Sequence, residues 1–102
     1  MAIRLAQRSD QAYLAQHDHH IDAVVLERKL SASEILVIER DEGVFGWLRW
    51  GYFWDEIPFM NMLYLAAAER GKGYGRQLVQ AWEQRMATAG HQLVMTSTPS
   101  NE

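Results

Sequence analysis

The chain contains no cysteine, which excludes a disulfide framework and any thiolate-ligated zinc site. No apolar run approaches the roughly 20 residues needed to span a bilayer. The N-terminal stretch Met1 to Arg8 lacks the long apolar core of a signal peptide. There is no basic excess: ten Lys and Arg face thirteen Asp and Glu, for a net charge of −3. A nucleic-acid partner is therefore not expected, nor is a membrane, and the expected setting is cytoplasmic. Repeats, low-complexity tracts and linkers are also missing. What is present is 102 residues at 48% hydrophobic composition, enough for a single domain over residues 1–102 that buries ~65% of its unfolded surface.

Ile3-Arg4-Leu5 alternates as a short strand. Ser9, followed by Asp10 and Gln11, is expected to cap a first helix. Asp22 is expected to cap a second, with Ile21, Val24, Val25 and Leu26 as its apolar surface. Ile35 to Ile38 is a buried strand, Asp41-Glu42-Gly43 a turn, and Val44 to Trp54 a long aromatic strand. A turn at Asp55 to Pro58 leads to a third strand over Phe59 to Leu65. Leu78, Val79, Trp82, Met86 and Ala89 recur at helical spacing, with Gly90 placed to end that helix. Leu93 to Thr96 reads as a last strand. The fold class is α+β, or mixed α/β, around one sheet.

Chemistry concentrates between Leu63 and Arg76. Gly71, Gly73 and Gly75 let the backbone turn sharply and bring its amides close to a ligand. A helix begins directly afterwards, so its unpaired N–H groups face the same space. Arg70, Lys72 and Arg76 add positive charge. Together these make a phosphate or pyrophosphate site. A P-loop is excluded because no Gly-Lys-Ser/Thr ending follows, and a Rossmann fingerprint fails because position 76 is arginine.

Arg70-Gly71-Lys72-Gly73-Tyr74-Gly75 matches the Arg/Gln-x-x-Gly-x-Gly/Ala motif of the GNAT superfamily of N-acetyltransferases, with Leu63, Leu65, Leu78 and Val79 flanking it. The chain resembles that family along essentially its whole length. The resemblance implies acetyl-CoA, or CoA, as cofactor and direct transfer of acetyl to a primary amine on a small molecule or peptide. It implies that amides from Gly71 to Arg76 hold the CoA pyrophosphate, and that Leu63 and Leu65 pair with pantetheine. The amide of Leu65 would polarise the thioester carbonyl and support the oxyanion, a role that contributes about 3–4 kcal/mol in other enzymes. Asn101, after the last strand, would contact the cofactor.

The resemblance further implies a mostly antiparallel central sheet flanked by helices. In the family, another helix and two strands follow, and that helix carries a tyrosine acid. This chain reaches Glu102 before them, and none of Tyr13, Tyr52, Tyr64 and Tyr74 stands at that position. The expected fold is thus short at its C-terminal end, with an uncovered strand edge and a homodimer as one outcome. No general acid is assigned. Glu56, in the turn before the third strand, or a water chain is the candidate base. A CoA-binding module without catalysis, or an inactive N-terminal fragment, is the alternative function.

Two further features admit more than one reading. His17-Asp18-His19-His20 could be a solvated helix end, a metal cluster or a lining of the acceptor pocket, the last resting on the resemblance. By alternation Leu48, Trp50, Tyr52 and Trp54 share one strand face while Trp47, Arg49 and Phe53 share the other. Core packing on both sheet faces accounts for that pattern, and an acceptor or interface surface is the second reading.

Overall fold

A computed structural model of the chain describes residues 1–19, 21–53, 57–91 and 95–96. Strands β1 (Ala2–Leu5), β2 (Ile35–Arg40), β3 (Gly43–Phe53), β4 (Ile57–Leu65) and β5 (Met95–Thr96) form one sheet in that order. The first four are antiparallel to their neighbours, and β5 runs parallel to β4. Helices α1 (Gln11–His17), α2 (Ala23–Ser31) and α3 (Tyr74–Thr88) complete the mixed α/β architecture.

The two faces of the sheet carry separate cores. Leu36, Ile38, Phe45, Leu48, Trp50, Met60 and Leu65 pack against Leu78, Trp82 and Met86 of α3. On the opposite face Ile35, Val37 and Trp47 pack against Leu14 of α1 and Leu26 of α2. The aromatic alternation along β3 therefore feeds both cores. Trp47, Trp50 and Trp82 are essentially fully buried, and each contributes about 4–6 kcal/mol of gross hydrophobic stabilisation at ~25 cal/mol/Å².

Asp22 caps α2 as expected, its Oδ1 accepting from Val25 N at 2.9 Å. Ser9 does not cap α1. It lies inside a 3₁₀ turn, Arg8–Asp10, closed by Gln7 and Asp10, and Asp10 occupies the position before α1. The longer reach of Asp10 lets its carboxylate meet both Gln7 N and the Arg4 guanidinium, contacts a serine hydroxyl cannot make. Val24 is also corrected: it is 71% exposed, and Leu26 carries the burial of α2. Strand β4 begins at Ile57, two residues earlier than expected, because Ile57 and Pro58 still pair with Phe53 and Tyr52. Gly90, at φ +99, follows α3 in the left-handed region and ends it. Among the described residues no helix is long and apolar enough to cross a membrane.

Candidate functional site

The site is built at the outer edge of β4. Arg49 faces Met62 and Trp50 faces Met60, so Asn61 is an extra residue in β4, a β-bulge. Among the described residues, β5 pairs with β4 only at Phe59 and Met60, before that bulge. Beyond it, no described residue pairs with this edge. Ala66 N donates to Phe45 O at 2.9 Å. Strand alternation therefore turns the backbone groups of Leu65 and Leu63, opposite Gly46 and Leu48, away from β3 and toward that edge. Their side chains meanwhile belong to the α3 core.

Gly46 makes this packing feasible. A Cβ there would stand 2.7 Å from both Leu65 Cδ2 and Tyr64 O. The small residue lets β3 and β4 approach closely at the level of the outward-turned Leu65 amide.

The glycine loop continues from that edge. A 3₁₀ turn, Ala67–Glu69, is followed by Arg70, whose Nε donates to Leu65 O at 2.9 Å. Gly71 (φ +78) and Gly73 (φ +89) both occupy the left-handed region, and a Cβ at either would meet nothing within 4 Å. Gly73 stands directly before α3. The first bond into the helix runs from Gln77 N to Gly73 O at 3.1 Å, so the amides of Tyr74 and Gly75 begin the helix without an intrahelical acceptor. Gly75 is buried in that first turn, Tyr74 is half-buried and Arg76 is exposed.

The charges around the loop are arranged by a residue the sequence did not single out. Arg40, at the end of β2, meets Glu69 with two hydrogen bonds, Nη2 to Oε1 at 2.8 Å and Nη1 to Oε2 at 3.0 Å. This pairing holds the Glu69 carboxyl below the usual carboxylate range and raises Arg40. Lys72 Nζ stands 3.4 Å from the same Glu69 oxygen, Oε1.

The opposite face of β4 presents an aromatic group. Tyr64 stacks on Trp47 with centroids 4.2 Å apart, and His17 packs on Tyr13 at 4.3 Å and lies 6.4 Å from Tyr64. Burial, and secondarily the proximity of Tyr64, raise the Tyr13 phenol. The solvated-end reading of the histidine segment fails at Asp18, which is 3% exposed and bonded to Arg49. Among the described residues no three His, Asp or Glu side chains form a metal-ligand group.

Leu63, Leu65, Arg70, Gly71, Lys72, Gly73, Tyr74, Gly75 and Arg76 thus lie on one continuous path from β4 into α3. Glu56, Asn101, His20 and Trp54 fall outside the described residues. A surface recess of about 720 Å³ runs along α2 and shares no residue with the glycine loop. Asn61 and Arg40 were missed because a bulge and a long-range ion pair leave no local signal.

Among the described residues, a mixed α/β sheet leads from β4 through a glycine loop into the N-terminus of α3. The sequence matches the acetyltransferase (GNAT) family over residues 3–102, and the chain belongs to that family. Comparison with curated proteins gave no match. Among solved structures, Rv2747 from Mycobacterium tuberculosis, in complex with CoA, superposes with a TM-score of 0.78 at 19% identity, covering 90% of this chain and 61% of that one. This chain therefore spans about three-fifths of that protein. N-acetylglutamate synthase from Neisseria gonorrhoeae, complexed with coenzyme A and N-acetyl-glutamate, gives 0.72 at 20% identity, over 88% of this chain and 23% of that one. A ribosomal-protein-alanine N-acetyltransferase from Brucella melitensis gives 0.76 at 16% identity, over 97% and 81%. At these identities the superpositions show the shared fold.

Proposed function

We propose that the chain is an acetyl-CoA-dependent N-acetyltransferase domain acting on a primary amine. The observation that carries this reading is the continuity of the outer β4 edge at Leu63 and Leu65 with the glycine loop and the start of α3. The residues fit the cofactor's shape: outward backbone groups match an extended amide chain, while open space at Gly71 and Gly73 admits a bulky anion. Gly71 to Arg76 would bind the pyrophosphate, and Leu63 and Leu65 would hold pantetheine as an added strand.

Bound acetyl-CoA supplies an activated acetyl thioester. The Leu65 N–H would donate to the acyl oxygen, where negative charge would develop as the amine attacks, and its strand would keep that donor oriented. Arg70 Nε donates to the carbonyl oxygen of the same residue. An ammonium acceptor must lose a proton before attack, and Glu56 or water is the proposed proton acceptor. The acceptors named for the neighbouring enzymes differ, so the acceptor proposed here goes no further than a primary amine.

A CoA-binding module without catalysis is the competing reading. It draws on the lack of Asp or Glu within β4. Incubation with acetyl-CoA and a panel of amines decides between them: the enzyme reading predicts acetylated product together with free CoA thiol. Cofactor binding with no product across the panel would favour the module. A cytoplasmic setting and a homodimer belong to the same proposal, and a concentration-independent monomer in sedimentation would exclude the dimer.

A further inference from the structure

We propose that Arg40 is a positioning residue for the cofactor loop, and that it acts by neutralising Glu69 so that Lys72 can pass to the anionic ligand. The inference rests on the reading that the loop binds the CoA pyrophosphate.

Glu69 is an acid at the entrance of a site for an anion. Uncompensated, its carboxylate would repel the ligand and hold the nearest cation, Lys72. The structure deals with both effects through one partner. The guanidinium of Arg40 occupies both oxygens of Glu69, whereas Lys72 makes one long contact to Oε1. A two-bonded arginine fork is directional and strong, while a single exposed lysine contact is weak and exchangeable. The Lys72 side chain is 55% exposed and that of Glu69 only 14%, so Lys72 is the partner free to move.

Arg40 is itself held on both sides of the loop. Its Cζ lies 4.2 Å from the centre of the Phe45 ring and 5.5 Å from that of Tyr74. Those two rings meet edge to face at 5.1 Å. Phe45 O accepts from Ala66 N, at the head of the loop, and Tyr74 opens α3 at its tail. Arg40 is thus braced against both ends of the segment and cannot follow Lys72 toward the ligand. The charge arithmetic agrees. With Arg40, the group of Arg40, Glu69 and Lys72 carries one net positive charge; without it, Glu69 and Lys72 cancel.

Calorimetric titration with CoA at low salt tests this on the full chain. Arg40→Ala should weaken CoA binding about ten-fold, the effect of losing one nearby compensating charge. Adding Glu69→Gln should restore affinity to within about three-fold of the original protein, because the charge that Arg40 neutralised is gone. The defect of the single variant should shrink at 0.5 M salt, on the order of the screening expected at a Debye length of a few Å. A double variant as weak as Arg40→Ala would overturn the proposal, since a bracing role alone gives no rescue. Unchanged affinity in Arg40→Ala would overturn it too. If Arg40→Ala does not fold, Glu69→Gln decides alone: equal or tighter binding is expected, and weaker binding contradicts the idea. Failure of the unaltered chain to bind CoA would overturn the pyrophosphate reading and this inference together.

Discussion

Arg49 reaches from the middle of β3 to Asp18, the residue closing α1, and Nε lies 2.8 Å from Oδ2. The two side chains are 10% and 1% exposed. The pair fixes the α1–α2 connection onto the same sheet face that carries Tyr64 and Trp47. An acid that looks solvated in the sequence is therefore an anchor.

Removing one member of this pair takes a charge-assisted hydrogen bond from the other in a nearly dry environment. Arg49→Met or Asp18→Ala should each cost about 3–5 kcal/mol. The double variant should cost less than the two singles added together. Urea denaturation measures all three, and full additivity would show that the pair is not coupled.

Gly46→Ala should destabilise by about 1–3 kcal/mol, the usual cost of overpacking. The added methyl would meet backbone Tyr64 O as well as Leu65 Cδ2. It must therefore displace the peptide that bears the Leu65 amide. Affinity for CoA should fall in this variant although Gly46 lies on the neighbouring strand.

The indole N–H groups of Trp47, Trp50 and Trp82 are buried without a hydrogen-bond partner among the described residues. Trp82→Phe removes an orphaned donor along with part of the packing, so the two effects oppose each other. It should cost roughly 2 kcal/mol or less, against about 3–5 kcal/mol for Trp82→Ala. Thermal melting of both variants checks the order.

Acid stability should depend on Asp10. Hydrogen bonding from Arg4, together with Gln7 N, holds its carboxyl below the usual range against the opposing effect of burial. A lowered folded pKa contributes stability that is fully present above the unfolded value of about 4 and disappears as pH falls through the folded value. Asp10→Asn should therefore be less stable than the original protein at pH 7, with the gap closing toward pH 2. A constant gap across that range would contradict the assignment.

Features governed by local chemistry were legible in the sequence. The three glycines, the helix carrying Leu78, Trp82 and Met86, the Asp22 cap and the two-sided aromatic strand each follow from neighbouring residues. Asn61 as a bulge, Asp18 as a buried ion and Arg40 as the partner of Glu69 depend on register and on contacts across the fold. The Ser9 misassignment has the same origin. Its cap preference is real, but Arg4 and Glu39 on adjacent strands make Asp10 the better-connected residue.

Binding of CoA through the backbone of the glycine loop hinges on Gly73. Any side chain there is strained at φ +89, while the surrounding space is open, so substitution should cost about 1–2 kcal/mol of stability. Gly73→Glu also places a carboxylate where the pyrophosphate would sit. Calorimetry should show saturable one-to-one binding of CoA to the original protein and none to a folded Gly73→Glu. Equal affinity in the two proteins, or no saturation of the original at millimolar CoA, would contradict CoA binding at this loop.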